Sequence, residues 1–201
     1  MERAPGSTDR LEAFSDGVFA VAITLLVLNL SVHAPAGRLA HQLLHEWPHY
    51  ATYVVSFLTI GIIWTNHHRQ FEHIARADRT LMLLNLVLLM FVTLIPFPTG
   101  LLADYLRTPA DEEAAAIAYA SSLLAMGIAF FATYTYATYA QLFASRITAA
   151  DVRHGRRRNA RGLAVYVVAI GLAFVSAPAC LALCGLNAVY FAFQGRPPSA
   201  Q

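Results

Sequence analysis

The chain alternates long apolar runs with short polar segments from residue 10 to residue 194. An α-helix needs about 20 apolar residues to cross the hydrocarbon core of a membrane. Six runs approach or exceed this length, so the pattern predicts six transmembrane helices. Their expected bounds are about 10–32, 48–69, 80–103, 112–145, 162–177 and 179–194.

Prolines indicate where this helical pattern is interrupted. Pro96 and Pro98 lie inside the third run, where a proline ring removes a backbone donor and should kink or break the helix. The final apolar stretch, residues 163–193, is too long for one ordinary span. Pro178 lies near its middle and predicts two short helices with a turn at that residue.

Composition agrees with a membrane location. The chain is 57% hydrophobic and 13% charged, whereas charged residues make up about a quarter of a soluble globular domain. We therefore predict an all-α polytopic membrane protein, a single domain over residues 1–201, placed in the cell membrane.

The arginines predict the orientation of the six spans. All 14 basic residues are arginine, and with a cytoplasmic N-terminus twelve of them fall on the cytoplasmic side, leaving only Arg38 and Arg107 outside. Both termini are therefore expected in the cytoplasm.

Five of these arginines lie in the segment RHGRRRNAR, residues 153–161. Such a run can bind nucleic acid or anionic lipid. Its position between two spans on the predicted inner side is explained by orientation alone, which we favour over a specific lipid site. No nucleic-acid partner is predicted.

Histidines form the one enzyme-like feature. His67, His68 and His73 lie in NHHRQFEH, but the other histidines are scattered, and membrane di-iron oxidases use several such boxes. No Gly-rich phosphate loop and no Ser/His/Asp set can be placed. We predict a polar cluster at a helix end, with no enzyme activity, no metal and no other cofactor.

The first span carries an apolar stripe. At about 100° per residue, Val21, Thr24, Leu25 and Leu28 fall within a sector about 100° wide. Asp16 lies about 140° away from Val21, on another face. Three residues extend the stripe toward the N-terminal end: Phe14, Gly17 and Val18.

Asp16 needs a partner, because a charged side chain in a span costs roughly 2.5 to 3.5 kcal/mol on insertion scales. The first span starts at the predicted cytoplasmic face and the second ends there, which brings their polar residues to one depth. We therefore predict a structural polar network in which Asp16 and Ser15 bond to the end of the second span. Its members are Arg10, Phe14, Ser15, Asp16, Trp64, Asn66, His67 and His68.

Three segments carry a family resemblance. RLEAFSDGVFAVAITLLVL, SFLTIGIIWTNHHRQF and LLNLVLLMFVTLIPFPT resemble, in order, the first three helices of the transmembrane protein 175 family of potassium channels, in its prokaryotic single-repeat form. The Arg-x-x-x-Phe-Ser-Asp and Trp-x-Asn-His-His motifs make the match specific over residues 10 to about 100. The resemblance implies a homotetramer of six-helix subunits that conducts potassium ions passively, with the first helix of each subunit lining a central pore.

The resemblance also implies roles for the stripe. Counted from the Phe-Ser-Asp motif, a hydrophobic constriction falls on Val21, further apolar layers fall on Leu25 and Leu28, and a selectivity hydroxyl falls on Thr24. Val21 is one methylene smaller than the Ile or Leu that the family more often has. Asn29 stands where related sequences often carry an acidic residue that would concentrate cations.

A proton-coupled or cation transporter is the competing hypothesis, with Asp16, His67 and His68 as a relay. It predicts internal repeats and ionisable groups at a midplane cavity. The sequence shows no convincing repeat, and its ionisable groups cluster at the cytoplasmic rim. We therefore favour a channel whose partners are potassium ions, the lipid bilayer and further copies of the chain.

Overall fold

The computed structural model describes residues 8–31, 37–144 and 148–193. Over these ranges the fold is all-α, as predicted. A short 3₁₀ turn, Leu26–Asn29, follows the first helix. The helices are α1 (Thr8–Leu25), α2 (Leu39–His45), α3 (Trp47–Glu72), α4 (Arg79–Leu94), α5 (Pro96–Tyr105), α6 (Glu112–Tyr139), α7 (Ala149–Ala173) and α8 (Ala177–Phe193).

Three helical segments are long and apolar enough to cross a membrane: Thr8–Asn29, Arg79–Tyr105 and Glu112–Tyr139. A fourth, Ala177–Phe193, is apolar but shorter. α3 and α7 have 26 and 25 residues, and each carries a polar end that lowers its hydropathy. The helices fit a membrane protein, while the count of six spans stays a prediction.

The helices that carry the first and fourth predicted spans end before residues 32 and 145, where the spans are predicted to end. After Leu25 the helix continues as the 3₁₀ turn and ends before Leu30, whose φ and ψ are −89° and 72°. α6 ends at Tyr139, because the chain turns through Gln141 with a positive φ of 52°. The predicted end residues themselves, 32 and 145, lie outside the described residues.

The fifth span is predicted to begin at residue 162, and the helix that carries this residue begins well before it. α7 begins at Ala149, so the arginine-rich segment is helical and not a loop. A capping box explains this start: the Asp151 amide donates to Thr148 Oγ1 at 3.2 Å, and the Thr148 amide donates to Asp151 Oδ2 at 2.9 Å. The first half of α7 is polar and therefore gave no hydropathy signal.

The turn between the last two spans lies before Pro178 and not at it. α7 ends at Ala173 and α8 begins at Ala177, which puts Pro178 in the first turn of α8, where its missing N–H costs nothing. Ser176 Oγ accepts the Ala179 amide at 3.3 Å and caps the helix. The predicted final residue, 194, is not among the described residues.

The interruption expected at Pro96 and Pro98 lies at Ile95, between α4 and α5. The end of α1 is attached to this junction. Asn29 Nδ2 donates to the Pro96 carbonyl at 2.8 Å, and a Cβ on Gly100 would lie only 2.8 Å from Asn29 Oδ1. The Asn29 amide is therefore directed at α5, and Gly100 leaves the room that it needs.

The core centres on α6, which packs against α4, α5, α7 and α8. A buried hydroxyl group joins three helices there: Ser56 Oγ lies 2.8 Å from Thr99 Oγ1 and 3.0 Å from the Tyr119 hydroxyl. α1 lies at the edge of this bundle, where it packs mainly on α3 and α4. One face of α1 is therefore left uncovered.

Candidate functional site

The packed face of α1 repeats every three to four residues. Ser15, Phe19, Ala22 and Leu26 are at most 1% exposed, and they lie on the side that meets α3 and α4. This face fixes the helix against the bundle.

The opposite face of α1 and of the 3₁₀ turn that follows it is uncovered in the single chain. Val21, Leu25 and Leu28 are 55%, 38% and 72% exposed, and Thr24 is exposed between them. These four are the residues of the predicted stripe. A continuous apolar strip of this kind is typical of a surface that meets lipid or another protein chain.

Thr24 is the polar member of the stripe. Its hydroxyl donates to the Val21 carbonyl at 2.8 Å. Because the one hydroxyl proton is used within the helix, the oxygen lone pairs stay available to an outside cation or water. The Thr24 oxygen can therefore accept a hydrogen bond from water or coordinate a cation while its proton stays bonded to Val21.

Two sets of hydrogen bonds anchor the middle of α1 to the bundle. In the first, Trp64 Nε1 donates to Asp16 Oδ1 at 2.8 Å. The Trp64 ring also stacks on His68 with a centroid distance of 6.0 Å. The structure thus joins Asp16 on α1 to Trp64 on α3.

The second set is a buried chain through α4. Asn85 Nδ2 donates to Ser15 Oγ at 2.9 Å, and Ser15 Oγ donates to the Leu11 carbonyl at 2.8 Å. Asn85 Oδ1 lies 2.8 Å from His67 Nε2. Because Asn85 Oδ1 can only accept, Nε2 carries the proton of His67. The chain is directional and connects α1, α4 and α3.

His67 is enclosed by aromatic side chains. It is 1% exposed and lies between Phe71, stacked at 4.3 Å, and Phe19, tilted at 5.3 Å. Among the described residues, no group of three or more His, Cys, Asp or Glu side chains is placed to hold a metal ion. His67 is therefore a packed core histidine.

The remaining predicted members of the network lie apart from Asp16. Asn66 lines cavities that face α6 and α7. Arg10 is exposed, and none of the hydrogen bonds within the described ranges joins it to Asp16. Phe14 is 53% exposed and extends the uncovered face. His68 Nε2 lies 3.6 Å from Glu72 Oε1.

Asn85 was missed by sequence reasoning, although it connects Ser15 to His67. The available signal was one amide inside the apolar run LMLLNLVLLM. A polar side chain within a span normally bonds to another helix. Its partners could not be named from spacing, because they are 70 and 18 residues away in the chain.

Asp78 stabilises the same end of the bundle. Its side chain caps α4 by accepting the Leu81 amide at 2.8 Å, and it accepts the Tyr136 hydroxyl at 2.6 Å. These hydrogen bonds, the one from Tyr136 first, lower the pKa of Asp78. The carboxylate therefore ties the start of α4 to α6.

Comparison with known proteins identifies a family. A sequence model described as endosomal/lysosomal potassium channel TMEM175 matches residues 10–96. A Streptomyces collinus protein named a potassium channel is 50% identical over 191 residues, covering 94% of this chain and 93% of that protein. A Bos taurus protein named endosomal/lysosomal proton channel TMEM175 is 34% identical over 98% of this chain, which spans 43% of its length.

The fold agrees with a solved structure. The crystal structure of a lysosomal potassium-selective channel TMEM175 homolog from Chamaesiphon minutus matches with a TM-score of 0.85 and 39% identity. The match covers 94% of this chain and 98% of the other. The likeness therefore extends over the half of the chain that lies beyond the family model.

Removal of the Trp64 donor tests the anchor. In Trp64→Phe, we expect the free energy of unfolding to fall by about 1 kcal/mol, because Asp16 loses its bonded donor. The measurement is thermal unfolding in detergent. Trp47→Phe, at the other end of α3 and similarly exposed (46% against 40%), is the matched control. Equal shifts in the two variants, or no loss of stability and assembly in Asp16→Ala, which removes the acceptor, would contradict the anchor.

Proposed function

The chain belongs to the TMEM175 family, and from this premise we propose that it is a potassium-preferring ion channel that conducts passively through a central pore. Its family consists of channels, so the chain is not an enzyme. The observation that carries the proposal is the uncovered stripe of α1, on which three apolar side chains flank an outward hydroxyl oxygen.

Several copies of the chain form the pore in this proposal. One stripe about 100° wide covers only part of a pore wall. The stripe is uncovered in the single chain, which supports its burial around a shared axis. We propose a homotetramer in which each subunit contributes α1.

The apolar layers act as the gate. Rings of Val21, Leu25 and Leu28 side chains close the path by excluding water, since an ion crosses a narrow apolar ring only when the ring is wet. Val21, which the resemblance places at the constriction, has a smaller side chain than Leu25 and Leu28, so its ring closes less tightly than a leucine ring would.

Thr24 acts in selectivity. A ring of Thr24 oxygens replaces part of the hydration shell of an ion, and its geometry supports this role because the hydroxyl proton is already engaged with Val21. The sequence has no Thr-Val-Gly-Tyr-Gly loop that would supply a carbonyl filter. The side-chain ring therefore carries the preference for potassium.

Six helical segments cross the cell membrane in this proposal: α1, α3, the α4–α5 pair, α6, α7 and α8. The polar anchor, the end of α3 and the first half of α7 lie at the cytoplasmic side, where most arginines are found. Both termini are cytoplasmic, and the channel requires no cofactor besides the permeant ion.

Two substitutions on the stripe test the proposal in planar bilayers. Thr24→Ala should lower the potassium-to-sodium permeability ratio by roughly two- to tenfold, because each subunit loses one ion-coordinating oxygen. Thr93→Ala is the matched control, since Thr93 is exposed on α4 and donates to the Met90 carbonyl at 2.9 Å.

In the same recordings Val21→Ala should raise the leak current, because a ring of smaller side chains stays filled with water. Unchanged reversal potentials and leak in both stripe variants would exclude this assignment.

Flux in liposomes separates the channel from the proton-coupled carrier. We expect potassium to flow down its own gradient at a rate that an imposed pH gradient does not change. Potassium accumulation driven by the pH gradient alone would instead favour a carrier that uses Asp16, His67 and His68.

The mass of the detergent-solubilised complex tests the assembly. The chain has a mass of 22.0 kDa, and we expect native mass spectrometry to give four chains per complex. A complex that stays monomeric or dimeric under conditions that retain conduction would contradict the shared pore.

A further inference from the structure

A second polar site lies on the other side of α3 from the pore stripe. A cavity of about 450 Å³ opens between the end of α3, the second half of α6 and the first half of α7. Its wall includes Arg69, Gln70 and Arg158. None of these belongs to the stripe or to the bonds that anchor α1.

Positive charge dominates this cavity. Arg69 and Arg158 are both half-buried in its wall, and no ion pair within the described ranges involves either guanidinium. Burial first, and then the charge of Arg69, lower the pKa of Arg158, so the two cations lie close enough to repel each other. Arginine keeps its proton at such a site. An anion between them would remove this repulsion.

The one carboxylate in the wall is already engaged. Asp151 Oδ2 accepts the Thr148 hydroxyl at 2.6 Å and the Thr148 amide at 2.9 Å. These bonds lower the pKa of Asp151, so it is charged and serves as the cap of α7. His73 and His154 also line the cavity and are exposed. The fixed charges of the wall are thus those of Arg69 and Arg158 and that of Asp151, which is bonded to Thr148.

Buried polar atoms in the wall lack partners. Gln70 is 5% exposed, and within the described ranges neither its Oε1 nor its Nε2 has a hydrogen-bond partner. Arg158 Nε is also buried without one. Most buried polar atoms in proteins are hydrogen-bonded, so the unpartnered donors Gln70 Nε2 and Arg158 Nε, close to the Arg69 guanidinium, indicate a missing acceptor.

Helical geometry separates Arg158 from its neighbours in the arginine-rich segment. Because that segment is helical, Arg158 turns into the cavity while Arg153, Arg156 and Arg157 are exposed. The Tyr134 ring closes the wall against α7, where a Cβ on Gly155 would overlap its hydroxyl. Arg158 therefore lines the cavity, whereas Arg153, Arg156 and Arg157 lie on the surface.

An apolar groove of about 230 Å³ adjoins the cavity. Asn66 and Arg69 line both, and Leu58, Ile62 and Phe191 continue the groove along α3 and α8. A charged pocket that opens onto an apolar groove matches an anionic amphiphile.

We propose that this cavity binds a phosphate-bearing anion between Arg69 and Arg158, with the Gln70 amide donating a further hydrogen bond. Two guanidinium forks suit the several oxygens and the charge of a phosphate group. When the anion is a phospholipid headgroup, the adjoining groove holds an acyl chain.

Binding is measured on the full-length protein in two arms. In the first, inorganic phosphate is titrated against thermal unfolding in detergent, with chloride at matched ionic strength as the reference. In the second, the protein is placed in phosphatidylcholine nanodiscs with or without phosphatidylglycerol, and lipid retained after extraction is counted by native mass spectrometry. Neither readout depends on conduction.

The decisive variant is Arg69→Gln with Arg158→Gln. We expect anion affinity to fall by roughly tenfold or more, since two charge-assisted bonds are lost. Arg153→Gln with Arg156→Gln removes the same charge from exposed positions of the same region and should bind as the parent does. Gln70→Leu keeps the charge and shape of the cavity and should weaken binding severalfold; it decides the test if the double variant does not fold.

The two arms separate the possible sources. Phosphate-dependent stabilisation that the cavity variant loses identifies a free phosphate group as sufficient, and retention of phosphatidylglycerol alone identifies a lipid headgroup. No binding in either arm would overturn the proposal. Equal losses in the cavity and surface variants would also overturn it, because general surface charge would then explain the binding. If the double variant does not fold, unchanged binding in Gln70→Leu would overturn the proposal.

Discussion

The rotation of α1 about its own axis is the constraint on which the rest of the structure depends. A polar side chain buried among apolar helices must find a partner, and Ser15 and Asp16 have theirs on α4 and α3. Satisfying both at once leaves one rotational setting for the helix. In that setting Val21 and Thr24 face away from the bundle.

A hydrogen bond from Asn29 holds the segment that follows α1 against α5. The Asn29 amide donates to the Pro96 carbonyl in the first turn of α5, and Gly100 provides the space. Between the two attachments, apolar contacts such as those of Phe19 and Ala22 pack α1 against the bundle. These contacts bury Phe19 and Ala22 almost completely and hold the face of α1 opposite the stripe against the bundle.

α3 connects the two polar regions of the molecule. Trp64 and His67 point toward α1, while Arg69 and Gln70 line the cavity against α7. This follows from helical periodicity: at about 100° per residue, Trp64 and His67 lie about 60° apart, whereas Arg69 lies about 160° from His67. An anion bound in the cavity and the anchor of the stripe would therefore share one rigid helix.

The sequence by itself determined the membrane class, the all-α fold, the stripe and the need of Asp16 for a partner, because these follow from hydropathy, helical periodicity and the cost of a buried charge. Tertiary structure alone decided which residues meet. Asn85 bridges Ser15 and His67, and Asn66 turns away from Asp16, because packing brings together positions that are distant in the chain. The tertiary structure also decided that α7 begins at Ala149, because the polar first half of this capped helix gives no hydrophobic pattern in the sequence.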